Sequence, residues 1–328
     1  MIKAEYRTRG PEPHKLIEPV AFEAPELGEG DVLVEVLAAP INPSDVLTLT
    51  GDYGVLPDLP AVGGNEGVGR VAGHGPGVDQ PALGQTVLLP MGCGSWASHI
   101  VARAAELIPL PDQADPLQLS MLTINPPTAS LLLSEFVDLE PGEWVIQNAA
   151  NSGVGAYLDQ LAAERGLKTV NVVRREAAAG TVRANGGDVV VVDGDDLPGR
   201  VAEATGGAKI RLGIDAVGGP ATDRLAGCLK GGATLVNYGM MSGQPCELSS
   251  AQLIFRGITL TGFWLATWFG NATREAQTEL FGELTRKVAS GALKAPIARQ
   301  YRVEDIQQAV KAAAAGERDG KVLVVPAG

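Results

Sequence analysis

The sequence predicts an α/β fold in which a doubly wound parallel sheet is inserted into a β-rich, partly open barrel. Three observations lead to this prediction. Residues 144–175 read as strand, small-residue turn, helix and strand; strands and helices keep alternating after them; and residues 1–118 hold short β-rich runs between turns rich in Gly and Pro. We therefore expect one domain of residues 1–118 plus 267–328 and a second domain of residues 119–266.

The first domain is predicted from short, separated strands. Val32–Leu37, Val68–Ala72 and Thr86–Leu89 are β-rich runs, as expected for a compact barrel. The stretch 41–69 between the first two is long and rich in turn residues. Because long loops in compact domains usually carry function, we expect functional residues there. Leu117–Leu139 has a helical composition, interrupted by the prolines that follow Asn125.

The second domain is predicted from a dinucleotide-binding βαβ unit. Trp144–Ile146 is an apolar strand, 149–155 is a turn of small residues, Ala156–Arg165 has a helical composition, and Thr169–Val173 is a β-branched strand. Small residues let a backbone approach a pyrophosphate, and the N–H groups of the next helix favour its charge. The G-x-G-x-x-G pattern of the Rossmann fold is incomplete here, because Ala150, Ser152 and Gly155 occupy the glycine positions.

The residues after the second strand of this unit indicate which dinucleotide is bound. Enzymes that use NAD place an Asp or Glu there for the ribose 2′-hydroxyl, whereas this chain has Arg174 and Arg175, followed by Glu176. A guanidinium offers charged donors to a 2′-phosphate, which a carboxylate would repel. The pattern favours NADPH. The alternative is a pair of solvated arginines on a loop.

The remainder of the chain continues the alternation of strands and helices. A last helix at Val303–Ala315 and a strand at Lys321–Val325 form a tail too short for a domain, so we expect the tail to return to the first one. The other predicted strands are Val189–Val192, Leu212–Ala216, Ala233–Tyr238 and Ile258–Thr261. The other predicted helices are Leu197–Thr205, Pro220–Leu229 and Asn271–Ser290.

Composition and charge limit the possible functions. The formal net charge of −12 over 328 residues disfavours nucleic acid as a partner, because the phosphate backbone would be repelled. No apolar run approaches the ~20 residues that span a membrane, so no membrane association is expected. Residues 1–13 resemble neither a signal peptide nor a presequence, and the three cysteines form no paired motif. We therefore expect a cytoplasmic location.

Seven motifs in order carry a resemblance to a known family. They are INPSD at 41–45, LPAVGGNEGVG at 59–69, INPPTA at 124–129, QNAANSGVG at 147–155, VNVVRR at 170–175, YGMMSGQP at 238–245 and GFWLATW at 262–268. With them, essentially the whole chain resembles the medium-chain dehydrogenase/reductase superfamily, in the zinc-free branch of the mitochondrial-type trans-2-enoyl thioester reductases. The resemblance implies a GroES-like barrel domain and an NADP-binding Rossmann domain. It also implies reduction of enoyl-CoA or enoyl-acyl-carrier-protein substrates by NADPH.

The resemblance also implies chemistry without a metal. Zinc enzymes of this superfamily carry a Cys where this chain has Asn42 and a His where it has Asn65, and they have a four-cysteine lobe that is absent here. A catalytic zinc needs about three His, Cys or carboxylate ligands, and Glu66 alone does not provide them.

The resemblance assigns the site residues one by one. Tyr53 matches the family's catalytic tyrosine, whose phenol either protonates the α-carbon or polarises the thioester. The residues implied to bind the cofactor are Asn125, Asn151, Ser152, Gly153, Val154, Arg174, Arg175, Tyr238, Gly239, Met240, Met241, Phe263, Trp264, Leu265 and Lys321. Two departures stand out: the arginines are adjacent rather than split by one residue, and Met240 replaces a usual Gly.

Two other functions stay open at this point, and the resemblance adds an assembly. One alternative is a zinc-free NADPH quinone or α,β-unsaturated-carbonyl reductase of the same superfamily. The other is a protein that binds NADPH without catalysis, as a sensor or a structural protein. The resemblance also implies a homodimer, joined near the predicted edge strand Ile258–Thr261, where an open sheet edge favours pairing.

Overall fold

The computed structural model describes residues 1–315 and 320–326, which divide into two compact units. The first unit comprises Met1–Ile124 and Gly282–Gly328, and the second comprises Asn125–Phe281. The strands in chain order are β1 (Ile2–Tyr6), β2 (Ile17–Ala21), β3 (Asp31–Pro40), β4 (Ala61–Val62), β5 (Val68–His74), β6 (Thr86–Leu88), β7 (His99–Arg103), β8 (Ile108–Pro109), β9 (Trp144–Gln147), β10 (Lys168–Val173), β11 (Val189–Val192), β12 (Leu212–Asp215), β13 (Thr234–Asn237), β14 (Thr259–Gly262), β15 (Ile297–Tyr301) and β16 (Lys321–Val324).

The helices alternate with the strands mainly in the second unit. In chain order they are α1 (Pro43–Thr50), α2 (Pro116–Leu119), α3 (Asn125–Leu132), α4 (Gly153–Glu164), α5 (Ala179–Ala184), α6 (Leu197–Thr205), α7 (Pro220–Gly227), α8 (Ser250–Ile254), α9 (Leu265–Asn271), α10 (Arg274–Ala289) and α11 (Ile306–Ala314). No helix of the described residues is long and apolar enough to cross a membrane.

The first unit is built from β-sheets. A seven-stranded sheet has the order β15-β16-β3-β5-β6-β8, with β7 also paired to β3, and a small sheet has the order β2-β1-β4. Alternate residues of β3 (Val32, Val34 and Val36) are fully buried in its core. The C-terminal strand β16 pairs antiparallel with β3, which confirms that the tail returns to the N-terminal part of the chain.

The second unit confirms the predicted doubly wound parallel sheet. Its six strands have the order β11-β10-β9-β12-β13-β14, and every neighbouring pair is parallel. The chain winds outward from β9 in both directions, so the strand order reverses between β9 and β12. In open α/β sheets, ligands bind beyond the carboxyl ends of the strands at this point.

Three predicted elements differ from the structure. The turn-rich stretch contains helix α1, which begins at a capping box: the Asn42 backbone N–H donates to Asp45 Oδ2 at 2.7 Å. The predicted interruption at Asn125 is the start of α3, because prolines fit the first turn of a helix, where their missing N–H is not needed. Helix α4 begins at Gly153, three residues earlier than expected, because Ser152 caps it.

The boundaries of the two units lie at 124/125 and 281/282, whereas the predicted domains divide at 118/119 and 266/267. The second boundary falls inside α10, a continuous helix of 16 residues, so no turn marks this boundary in the sequence. The functional domain boundaries stay a prediction.

Candidate active site

The small-residue turn of residues 149–155, called the phosphate turn below, follows β9 and contains the start of α4. Ser152 Oγ accepts a hydrogen bond from the Gly155 N–H at 3.1 Å, and Ala149 adopts a positive φ of 47°. A Cβ placed on Gly155 would lie 2.4 Å from the Ala150 carbonyl oxygen, so only glycine fits there. Of the three motif positions, only this last one requires glycine, which explains why Ala150 and Ser152 are tolerated at the others.

The two arginines follow the end of β10. The structure places Arg174 on the surface and leaves Arg175 half-buried, at the start of a short 3-10 helix over Glu176–Ala178. Both follow Val173, the last residue of a strand adjacent to β9, so they lie on the side of the sheet where the turn lies. An exposed guanidinium at this strand end is accessible to a phosphate group.

Asp215, which the sequence reasoning did not single out, connects the loops at this edge of the sheet. Its buried carboxylate accepts from Asn148 Nδ2 at 2.6 Å, from Thr222 Oγ1 at 2.7 Å and from Asn237 Nδ2 at 3.2 Å. It also accepts from the backbone N–H groups of residues 217 and 218, at 2.8 and 3.1 Å. Asp215 therefore fixes the chain directly after three neighbouring strands, β9, β12 and β13.

The segment 238–241 follows β13 and is held by backbone contacts. The Tyr238 N–H donates to the Asp215 carbonyl at 2.9 Å, and the Met241 N–H donates to the Ala216 carbonyl at 3.1 Å. A Cβ on Gly239 would lie 2.7 Å from the Ala216 carbonyl oxygen, so this glycine is needed for close approach. Met240 is 48% exposed, so its side chain is accommodated where the family usually has Gly.

Tyr238 is brought to the phosphate turn within the second unit. Burial raises the pKa of the Tyr238 phenol, and the nearby Ser152 side chain lowers it by less. The phenol is therefore neutral and able to donate at physiological pH. The structure thus joins two of the predicted cofactor residues, which lie 86 positions apart in the sequence.

The aromatic segment after β14 has mixed exposure. Phe263 packs edge-to-face on Phe136 with ring centroids 6.0 Å apart, Leu265 is buried, and Trp264 is 41% exposed. Asn125 is buried at the first position of α3. Arg165 at the end of α4 donates to the Ser130 hydroxyl at 3.0 Å, which fixes α3 against α4.

Tyr53 and Lys321 belong to the first unit. Tyr53 is half-buried in the loop that follows α1, whose C-terminus is capped by Gly51 at a φ of 95°. Lys321, at the start of β16, is 4% exposed, and its ammonium donates to Asn42 Oδ1. Lys321 therefore makes a structural contact inside the first unit, and its role at the cofactor stays a prediction.

Asn42 connects Lys321 to a buried carboxylate. Asn42 Nδ2 donates to Glu66 Oε1 at 2.7 Å, and Glu66 Oε2 accepts the Ile124 backbone N–H at 2.9 Å. Burial raises the pKa of Glu66, whereas the charge of Lys321 lowers it. Burial likewise raises the pKa of Asp45 to about 7. These four side chains, Asn42, Asp45, Glu66 and Lys321, are called the lysine cluster below.

The lysine cluster includes Asn42, one of the two positions at which zinc enzymes of the superfamily carry a ligand. Within residues 1–315 and 320–326, no three His, Cys, Asp or Glu residues are grouped as a metal site. Metal-independent chemistry stays a prediction.

The described residues fit a 2′-phosphorylated dinucleotide. Gly155 lets the turn pack closely against the start of α4, the first N–H groups of this twelve-residue helix favour an anion, and an exposed arginine lies at the next strand end. The structure gathers 151–154, 174–175, 238–241 and 263–265 at the carboxyl ends of parallel strands of one sheet. Nothing in the sequence near these segments indicates that Asp215 connects the ends of β9 and β13, which precede two of them, except that it ends a buried strand.

Family models match a part of each of the two units. Residues 28–112 match the alcohol dehydrogenase GroES-like domain, and residues 153–281 match the zinc-binding dehydrogenase family. The mitochondrial enoyl-[acyl-carrier-protein] reductase of Bos taurus is 38% identical over 308 residues, which cover 92% of this chain and 82% of that protein. The corresponding human reductase is 37% identical over 317 residues, with the same coverage.

Solved structures of other proteins match the fold of this chain over nearly its entire length. The complex of Etr1p with NADP and crotonyl-CoA has a TM-score of 0.88 at 25% identity and covers 99% of both chains. The Candida tropicalis Etr1p/Etr2p heterodimer, a mitochondrial 2-enoyl thioester reductase, has a TM-score of 0.87 at 25% identity, also over 99% of both chains. A Bacillus thuringiensis protein described as an NADPH:quinone reductase has a TM-score of 0.89 at 26% identity, over 99% of this chain and 98% of that one.

The predicted cytoplasmic location is wrong. Relatives from cattle, rat and human are mitochondrial reductases by name. The prediction depended on the composition of residues 1–13, which carries no information about the compartment in which such relatives work.

Proposed function

Because this chain belongs to the mitochondrial-type enoyl thioester reductases of the medium-chain dehydrogenase/reductase superfamily, we propose that it reduces trans-2-enoyl thioesters with NADPH. The product is the saturated acyl thioester. The observation that carries the proposal is the phosphate turn, with glycine required at residue 155, beside an exposed arginine at the end of β10. This geometry suits the 2′-phosphorylated cofactor that the neighbour Etr1p holds.

The reaction places distinct demands on the protein. NADPH, when bound, supplies the hydride for the β-carbon of the substrate. Negative charge then develops on the thioester carbonyl oxygen, and a proton must reach the α-carbon. The chain must therefore provide a hydrogen-bond donor at that oxygen and a source for that proton, both held in place before the reaction.

Tyr53 is the residue that we propose for this task. A phenol donates one strong hydrogen bond, and its hydroxyl carries a proton that can be transferred. The side chain is half-buried in its loop. In one role it protonates the α-carbon, and in the other it polarises the carbonyl.

We propose that the cofactor is held by the segments at the carboxyl edge of the parallel sheet. Gly153 and Val154, at the start of α4, offer N–H groups at the pyrophosphate beside Ser152, and Arg174 with Arg175 binds the 2′-phosphate. The remaining residues of the proposed cofactor site are Asn125, Asn151, Tyr238, Gly239, Met240, Met241, Phe263, Trp264, Leu265 and Lys321.

The substrate carrier is either CoA or acyl carrier protein, and the likeness to a described quinone reductase keeps a quinone as the second candidate. The two functions are separated by kcat/KM for crotonyl-CoA against a benzoquinone, with NADPH as the reductant. A clear preference for the quinone would favour the second candidate. Tight NADPH binding without turnover on either substrate would instead indicate a protein that binds the cofactor without catalysis.

The catalytic assignment is tested with Tyr53→Phe. We expect kcat for crotonyl-CoA to fall about a hundredfold, as is typical when a proton donor is removed. Tyr301→Phe, which alters a half-buried tyrosine of the same unit, serves as the control and keeps full activity. Solvent-isotope incorporation at the α-carbon separates the two roles, because a polarising tyrosine changes the rate and leaves the stereochemistry of protonation intact. Full activity of Tyr53→Phe would remove the assignment.

The cofactor preference is tested with Arg174→Ala. We expect the Kd of NADPH to rise at least tenfold, since a hydrogen bond to a charged group contributes about 1.5–3 kcal/mol, while the Kd of NADH stays constant. Arg183→Ala removes another exposed arginine of the same unit and is the control. Equal weakening of NADPH and NADH by Arg174→Ala would contradict a contact with the 2′-phosphate.

We also propose that the chain forms a homodimer through the outer edge of β14. Strand β14 is the last strand on one side of the parallel sheet. The preceding segment exposes Leu253 at 47%, Ile254 at 71% and Phe255 at 84%. Contiguous exposed apolar side chains beside an open sheet edge are typical of an interface, and a second copy of the sheet would extend the ladder.

The dimer is tested by sedimentation of Phe255→Asp. A buried charge would oppose association, so we expect the wild type to sediment as a dimer and the variant as a monomer. Leu83→Asp, which alters another exposed leucine at 64% exposure in the other unit, is the control and should not change the mass. A monomeric wild type at micromolar concentration would contradict the proposal.

A further inference from the structure

The loop that carries Tyr53 is exposed along most of its length. Residues 54–60 lie on the surface, with Val55 at 64% exposure, whereas Tyr53 is half-buried. The loop leaves α1 at Gly51 and rejoins the sheet at β4. A segment of this kind needs contacts along its length if a side chain within it is to keep a fixed position.

Arg9 provides such a contact in the middle of the loop. Its guanidinium donates to the carbonyl oxygen of Pro57. The same guanidinium lies 5.9 Å from the centroid of the Tyr6 ring, which is a cation–π contact. Tyr6 is 2% exposed and belongs to the core of the first unit, so Arg9 joins the exposed loop to a rigid part of the molecule.

The stem of Arg9 also lies against the start of the loop. A Cβ on Gly51 would be 3.6 Å from Arg9 Cβ and Cδ, which is ordinary van der Waals contact. The next residue, Gly10, donates its backbone N–H to the Leu49 carbonyl at 3.2 Å. The segment 9–10 therefore contacts the chain before Tyr53 at Leu49 and Gly51 and after it at Pro57.

We infer that Arg9 is a positioning residue for Tyr53: it fixes the loop on both sides of the tyrosine and so sets where the phenol stands. The inference rests on the proposed catalytic function of Tyr53. Arg9 acts through the loop, and its contribution exists only while Tyr53 has its hydroxyl. Without Arg9 the loop keeps its two ends, but the middle loses its bond to the core.

The test combines Arg9→Met with Tyr53→Phe in a double-mutant cycle. Arg9→Met keeps the apolar stem and removes the donors. We expect kcat for crotonyl-CoA to fall about tenfold in the single variant, within the range that a displacement of about 1 Å costs. We expect the KM for NADPH to stay within about twofold, because this loop is not among the proposed cofactor residues. In the Tyr53→Phe background, Arg9→Met should change kcat by less than about twofold, because the effects of residues that act as one unit are not additive.

Two further variants separate positioning from general stability. Arg7→Met removes a nearby arginine that is 75% exposed and pairs with Glu5, and it should leave kcat unchanged. Arg9→Lys, which keeps one charged donor, should restore part of the activity. Thermal unfolding of each variant shows whether the substitution also lowers the stability of the protein. The double-mutant cycle compares kcat values and does not depend on that result.

The outcomes separate the two assignments. If Tyr53→Phe is fully active, the proposed function of Tyr53 fails, whatever Arg9→Met does. If Tyr53→Phe is impaired and Arg9→Met is not, or if Arg9→Met lowers kcat by the same factor with and without the phenol, Tyr53 stands and the role of Arg9 is overturned.

Discussion

The two units of the molecule both bury carboxylates beside functional loops, but they stabilise them differently. In the second unit, Asp215 accepts hydrogen bonds from amide, hydroxyl and backbone donors that are all uncharged. In the first unit, Glu66 accepts two such bonds. The positive charge of Lys321 additionally stabilises the ionised forms of both Glu66 and Asp45.

The difference has a physical consequence. A carboxylate surrounded by uncharged donors holds together the chain segments that supply the donors. Asp215 therefore mainly fixes the conformation of these segments. Two carboxyls that share one lysine depend on a charge that a single substitution removes. We therefore expect the lysine cluster to control stability and its pH dependence, and Asp215 to control the loops at the phosphate turn.

The largest expected effect is that of Lys321→Met. It leaves buried carboxyls without their cation, which typically costs about 3–5 kcal/mol in the free energy of unfolding. Lys3→Met, which breaks a 2.8 Å ion pair of Lys3 that is 27% exposed, is the control and should cost about 1 kcal/mol or less. Thermal and urea unfolding give both values. Equal losses for the two variants would show that the lysine cluster does not depend on its charge.

The next effect in size is that of Asp215→Asn. In the variant, an N–H₂ group faces donors that bond a carboxylate oxygen in the wild type. Unsatisfied buried donors cost about 1–3 kcal/mol in the free energy of unfolding. Because the loops after β9 and β13 are held by this carboxylate, the Kd of NADPH should rise about tenfold as well. Asp196→Asn, at an aspartate 75% exposed, is the control. Calorimetric titration with NADPH measures the change, and unaltered binding would show that the loops keep their shape without Asp215.

Asp45→Asn tests the pH dependence. The pKa of Asp45 rises from 3.8 unfolded to about 7 in the folded protein, so the folded state holds this proton more tightly. The resulting stabilisation is complete below pH 3.8 and is lost as the pH rises to about 7. The Tm of the wild type should therefore fall relative to that of Asp45→Asn by several degrees between pH 5 and pH 8.5. A constant difference in Tm over this range would contradict the raised pKa.

The smallest effect is expected for Asp159→Asn in α4. Asp159 is fully buried, and burial raises its pKa to about 7, but Gln147 is a neutral donor to it, at 3.2 Å. At pH 5 the neutral acid and the amide should be nearly equal in stability, within about 1 kcal/mol. Above pH 7 the variant should become the more stable protein. If it does not, burial without a lysine is insufficient to make a carboxyl of this unit sensitive to pH.

Much of the fold could be predicted because its signals are local. The alternation from Trp144 onward and the strand ending at Val173 are short-range patterns that the structure confirms. Helix α1 was missed because its capping box stands in a stretch dominated by Gly and Pro. The start of α3 is not recognisable from its prolines, because a proline ends a helix in most positions and fits one only in its first turn.

The contacts that organise the candidate site were less accessible to sequence reasoning. Asp215 joins Asn148, Thr222 and Asn237, and Arg9 joins Tyr6 to Pro57, over separations that leave no periodic pattern. A charged residue ending the buried strand 212–215 is a usable signal, because carboxyl ends of parallel strands surround ligand sites. Arg9 is half-buried, precedes Gly10 and Pro11, and offers no comparable signal.

The exposure of Arg174 bears on how such a chain can evolve. The turn at Gly155 is locked by backbone packing, and a side chain there would displace the Ala150 carbonyl. Arg174 instead projects from a strand end into solvent, where substitutions usually change stability by less than about 0.5 kcal/mol. If Arg174 binds the 2′-phosphate as proposed, selection can exchange one reducing coenzyme for another at the rim of the sheet without rebuilding the turn at Gly155.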